Sequence, residues 1–152
     1  MKTQKLILEQ IDRKIQLLNK IRELSIPGTG WVYAIRQSLG MSMRQLGIKM
    51  GMTPQGIKDL EEREKNGSVS LNVLRQFGNS LEMKFVYGFI PKQDCLETII
   101  EERAIELAKE IVTRTSISMK LEEQENDPAR IEKAIKDKAI ELKYEVPRYL
   151  WD

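Results

Sequence analysis

Histidine is absent from the 152 residues, and cysteine occurs once, as Cys95. The first absence removes the commonest general acid–base side chain and the commonest zinc ligand. The second leaves no partner for an internal disulfide and fits a reducing cytosol. No apolar run approaches the roughly 18 residues that a membrane span needs. The opening MKTQKLILEQIDRK has neither the unbroken apolar core nor the small-residue cleavage site of a secretory signal. There is no GxxxxGK phosphate loop and no GxGxxG turn, and no serine or cysteine is spaced with a base that would activate it. The expectation is a cytoplasmic protein that is not an enzyme and uses no cofactor, no metal and no membrane.

What is present is helix-forming. Hydrophobic residues make up 41% of the chain and charged ones 32%, a balance that suits a helix-rich globular protein rather than a disordered one. The net charge of +2 conceals a gradient. Residues 1–30 and 31–90 are each +3, whereas residues 91–152 hold eleven basic against fifteen acidic groups. A basic, DNA-facing part followed by an acidic, protein-facing part would have this distribution, and so would ordinary surface scatter.

Residues 42–61, SMRQLGIKMGMTPQGIKDLE, carry the strongest signal. Leu46, Met50, Met52, Ile57 and Leu60 recur at helical spacing around a break at Gly51, with Gly47 placed for a close helix crossing. Thr53 is a ready N-cap, and Pro54 fits the first helical position, where no N–H is needed. Two short helices about a glycine turn form the unit whose second helix enters the major groove. On that helix Gln55 is the base reader, since its amide can pair bidentately with adenine. Thr53, Pro54 and Lys58 lie at the phosphate-facing start. Asp59 either accepts from a cytosine or holds a neighbouring cation, and Arg44 and Gln45 of the preceding helix face the DNA backbone or flanking bases. Glu61, Glu62 and Glu64 oppose this reading, because carboxylates repel phosphates.

Flanking segments complete the outline. Lys5 to Leu24 reads as a helix with Leu8, Ile11, Ile15, Leu18 and Ile21 on one stripe. It serves either as an arm on the C-terminal helices or on a second copy, or as ordinary core. Trp31–Leu39 and Leu71–Leu81 bracket the helix-turn-helix, the latter capped by Ser70 and burying Leu71, Leu74 and Phe77. Met83–Ile90, rich in β-branched and aromatic residues, reads as a strand stopped by Pro91. A lone strand must pair, either with its equivalent in a second subunit or with the N-terminal region of its own chain. Cys95–Met119 is helical again, with Leu96, Ile99, Ile100, Leu107 and Ile111 on one side. Asp127 caps a last helix facing inward through Ile131, Ile135 and Leu142. The domains expected are 1–28, a helical arm; 29–91, the DNA-binding domain with its strand; and 92–152, a helical region.

Residues 31–82 resemble the lambda-repressor-like, XRE-type helix-turn-helix family through Leu46-Gly47, Gly51-Met52-Thr53, Ile57 and Leu60-Glu61. Over nearly its full length the chain resembles a small bacterial family called mobile mystery protein A. That likeness rests on LILEQIDRKI, GWVYAIRQSLGMSMRQLG, FVYGFIPK, SMKLEEQ and the terminal RYLWD. The resemblance implies a fold that is mainly α: a lambda-repressor-like helix-turn-helix domain with one β-strand after it and flanking N- and C-terminal helices. It further implies an autoregulatory, antitoxin-like repressor of double-stranded DNA encoded beside a Fic-domain protein. Homodimerisation is expected from the strand and from the two half-sites such a domain needs. Fic-inhibitory helices carry Ser or Thr, three residues, Glu, then Gly or Asn. Ser118 and Glu122 match this as far as the glutamate, where Glu123 departs from it. The alternative function is a protein-interaction module whose C-terminal helices bind and inhibit a partner directly.

Overall fold

Periodicity and caps translate into seven α-helices in a computed structural model that describes residues 2–121 and 127–152. They are α1 (Lys2–Asn19), α2 (Trp31–Ser38), α3 (Met43–Met50), α4 (Pro54–Asn66), α5 (Leu71–Ser80), α6 (Leu96–Leu121) and α7 (Pro128–Glu145), followed by a 3-10 turn over Arg148–Trp151. No helix among the described residues is long and apolar enough to cross a membrane.

The helices form two compact units. Glu23–Tyr87 is one, and it is inserted into the other, whose segments end at Arg22 and resume at Gly88. The inserted unit gathers α2–α5 around buried Val32, Leu46, Ile57, Leu60 and Phe77. Leu71, expected inside, is exposed, because α5 turns Val73, Leu74 and Phe77 inward instead. Local chemistry places each helix start: Ser42, Thr53 and Ser70 accept from the third residue onward, Gln45, Gly56 and Val73. Helix α4 runs on to Asn66, well beyond its last buried apolar residue, Leu60, and Gly67 closes it in the left-handed region at φ 79°.

The discontinuous unit packs α6 against α7 over Ile100, Ala104, Ala108, Ala139 and Leu142, with Leu150 of the final turn buried beside them. Ile99, expected on the inner stripe, is exposed, and the seam follows the alanines, whose small side chains let two helices approach closely. Helix α1 joins this unit through Leu8 and the buried Ile15. Its Asp12 does more than pack. Oδ1 accepts from Leu96 N at 2.8 Å and Oδ2 from Glu97 N at 3.2 Å, so a carboxylate 84 residues away caps the start of α6. Asn19 Nδ2 adds a 2.7 Å bond to the Asp94 carbonyl.

The expected β-strand over Met83–Ile90 is not formed. Residues 83–90 are extended, but no strand pairing exists among the described residues. The other long non-helical stretch, residues 20–30, is turn and irregular chain rather than a strand, so no ladder is completed. Side chains hold the segment in its place: Tyr87 stacks on Phe85 at 5.8 Å, and the Arg75 guanidinium lies 5.8 Å from the Tyr87 ring. Val86, Tyr87 and Phe89 are nonetheless largely exposed, and the dimer expectation loses the strand as its carrier.

The borrowed cap on α6 gives a direct test. Asp12→Ala should lower unfolding free energy by about 0.5–2 kcal/mol, the usual cost of a lost N-cap. Asp12→Asn, which keeps one acceptor oxygen, should lose less. Urea unfolding followed by circular dichroism checks this, and equal losses for the two variants would refute the capping role.

Candidate nucleic-acid interface

The site is built from α3, α4 and the turn between them. Helix α3 ends at Gly51, which adopts φ 67° and allows the reversal. Gly47 is buried for a more local reason than a helix crossing. A Cβ there would strike the Met52 carbonyl of the turn, whose own N–H donates to the Gly47 carbonyl at 2.8 Å. Met52 and Thr53 then lead into α4. Gly56 sits in the first turn of α4, where its N–H donates to Thr53 Oγ1 at 3.0 Å.

This arrangement presents Arg44, Gln45, Thr53, Pro54, Gln55 and Lys58 at the surface, with Asp59 half-buried. Gln55, Lys58, Asp59 and Glu62 stand three and four residues apart and so share one face of α4. Gln55 Nε2 donates to Asp59 Oδ1 at 3.0 Å. That bond uses one of the two amide hydrogens and leaves Oε1 and the second hydrogen free, the pair an adenine edge requires. Asp59 thereby orients Gln55. Gln45 is engaged in a capping box: its Oε1 accepts from Ser42 N at 2.8 Å, while its own N–H donates to Ser42 Oγ at 3.1 Å. The sequence pattern Ser-x-x-Gln is the signal that identifies this box. Thr53 likewise spends its hydroxyl oxygen on the helix start.

Two of the three opposing glutamates are committed elsewhere. Glu61 is buried against Arg36 of α2, with Oε1 2.5 Å from Nε and Oε2 3.2 Å from Nη2. Arg36 also donates to the Met41 carbonyl at 2.9 Å and lies 5.4 Å from the Tyr33 ring centroid. The hydrogen bond from Arg36 to Glu61 holds the guanidinium pKa above its ordinary value, against the opposing effect of burial. Glu64 reaches the N-terminus of α2 and accepts from Trp31 N and Val32 N, both at 2.8 Å. Helix α2 has no cap of its own: Gly30 stands at the N-cap with φ 87°, and a Cβ there would come within 2.8 Å of Glu64 Oε1. Only Glu62 of the three remains exposed and opposed to a phosphate backbone.

The proposed partner-facing pair lies in the other unit. Ser118 Oγ donates to the Arg114 carbonyl at 3.1 Å within α6, and Glu122 lies outside the described residues. Comparison with protein-family models, curated proteins and solved structures finds no match to the chain.

The buried pair makes a quantitative prediction. Glu61→Ala strands a buried guanidinium and should cost about 3–5 kcal/mol. Replacing both partners, Arg36→Met with Glu61→Leu, should recover most of that, leaving about 1 kcal/mol for the Met41 carbonyl deprived of its donor. Chemical denaturation of both variants decides this, and a double variant no better than the single would contradict it.

Proposed function

We propose that this chain is a sequence-specific, DNA-binding transcriptional repressor that acts as a homodimer on its own promoter. The observation that carries the reading is the exposed first turn of α4, with Gln55 held by Asp59 and Lys58 beside it, while Glu61 and Glu64 are tied into the fold. A helix of this kind, opened by Thr53-Pro54 after a glycine turn, can place Gln55 on a base edge and Lys58, Arg44 and backbone N–H groups on phosphates. One such domain offers few contacts, so two copies on neighbouring half-sites are needed for operator affinity. The antitoxin-like role beside a Fic-domain partner rests on the resemblance to mobile mystery protein A.

Fluorescence anisotropy on the upstream region of the gene, against scrambled DNA of equal length and at two salt concentrations, tests the reading. Gln55→Ala should weaken operator binding by about 1–3 kcal/mol and relax preference at the base it reads. Lys58→Ala should weaken both DNAs alike and lower the salt slope by about one. Equal, steeply salt-dependent binding of the native protein to both DNAs would leave only charge attraction and sink the proposal.

A further inference from the structure

Helix α4 turns Ile57, Leu60 and Glu61 to the core, and a line of polar residues runs along its outer side. At about 100° per residue, Asp59, Glu62 and Asn66 all fall within about 40° of Gln55. Lys58 and Lys65 stand about 60–80° to one side of that line, and Arg63 about 80° to the other. Apart from the half-buried Asp59, all of these outward residues are exposed.

The two carboxylates on the line differ. Asp59 is already engaged, accepting from Gln55 Nε2. Glu62 forms no hydrogen bond and no ion pair with the described residues, although Lys58 stands four positions before it and Asn66 four after. Its two oxygens can only accept, and the fold offers them no donor.

A major groove presents two surroundings to a helix laid in it: phosphates along both walls and base edges on the floor. Lys58 and Lys65 on one flank and Arg63 on the other suit the walls. Glu62, on the midline with Gln55, meets the floor instead. Guanine and thymine offer acceptors there, and adenine sets its N6 amine beside the N7 acceptor. Cytosine alone presents an amine, N4, with no acceptor beside it. An anion on the midline therefore selects cytosine and rejects the other three bases. The seven residues from Gln55 to Glu62 rise about 10.5 Å, about three base-pair steps of roughly 3.4 Å. Recognition helices of helix-turn-helix domains read bases over spans of that length.

We infer that Glu62 is a second base reader, accepting from a cytosine N4 amine about three base pairs from the adenine paired with Gln55. The role rests on the repressor reading and deepens it by naming a further base of the operator. A negative charge that opposes binding to DNA at large becomes a means of discrimination. Wherever the cytosine is missing, the carboxylate is desolvated without a donor.

Selection of a random-sequence duplex library on the full-length protein, followed by anisotropy on the enriched duplexes, reads both positions. Native protein should enrich an adenine and a cytosine about three base pairs apart, and should favour cytosine over adenine at the second position by about tenfold. Glu62→Gln should invert the preference at that position alone, because an amide pairs with adenine. Gln55→Ala should relax the first position and keep the second. Glu62 is exposed and unbonded, so neither substitution there nor its readout depends on a change of fold, and circular dichroism verifies this. An enriched motif that Glu62→Gln leaves unchanged, whatever happens to affinity, reduces Glu62 to a repelling surface charge and overturns the inference while the repressor reading stands. Failure of the native protein to enrich any motif overturns both.

Discussion

The Arg36–Glu61 pair is the constraint around which the inserted unit, residues 23–87, is arranged. It joins α2 to α4 across the core, and its third hydrogen bond, to the Met41 carbonyl, fixes the chain as it enters α3. An ion pair at this depth contributes little net stability relative to a well-packed apolar pair, since desolvation offsets most of the attraction. Its effect is geometric. A guanidinium fork accepts a carboxylate in few orientations, so the rotation of α4 about its own axis is set from inside. That rotation decides that Gln55 and Lys58 face outward, and it removes a negative charge from the face they share.

Carboxylates recruited from distant sequence recur as an organising device. Glu64 supplies the N-terminus of α2, which begins at a glycine with no side chain to offer. Asp12 does the same for α6 in the other unit. In each case a helix start is satisfied only once tertiary structure has formed, so helix formation and docking are a single event. The helices of the turn motif differ: Ser42 and Thr53 cap them locally, and their ends are specified by the sequence alone.

That contrast explains what could be read in advance. The helices from Met43 to Ser80, the caps at Thr53, Ser70 and Asp127, and Pro54 at a helix start follow from local rules, and these are the features the sequence makes legible. The partners of Glu61 and Glu64 stand 25 and 32 or 33 residues away, where no periodicity reaches, so the three glutamates look alike until the fold sorts them. The α6–α7 seam was hidden for another reason: Ala104 and Ala108 give a weak hydrophobic signal, and Ile99 a strong one on the wrong face. Residues 83–90 show the limit of composition. Aromatic and β-branched residues favour extended backbone, but a strand also needs a neighbour, and that depends on the rest of the chain.

Insertion of one unit into another imposes an order on synthesis. Helix α1 leaves the ribosome first, yet the residues it caps follow 84 positions later, several seconds at about 5–20 residues per second. An isolated helix of 18 residues is marginal in water, so α1 waits largely unformed, with Leu8 and Ile15 lacking the cover they have in the fold. The intervening unit completes its own core in that interval. Once folded, it replaces a long flexible loop by a rigid spacer with fixed ends, and the entropy of bringing Asp12 to Leu96 falls accordingly. The inserted unit thus shortens the search by which the two separated segments of the other unit find each other.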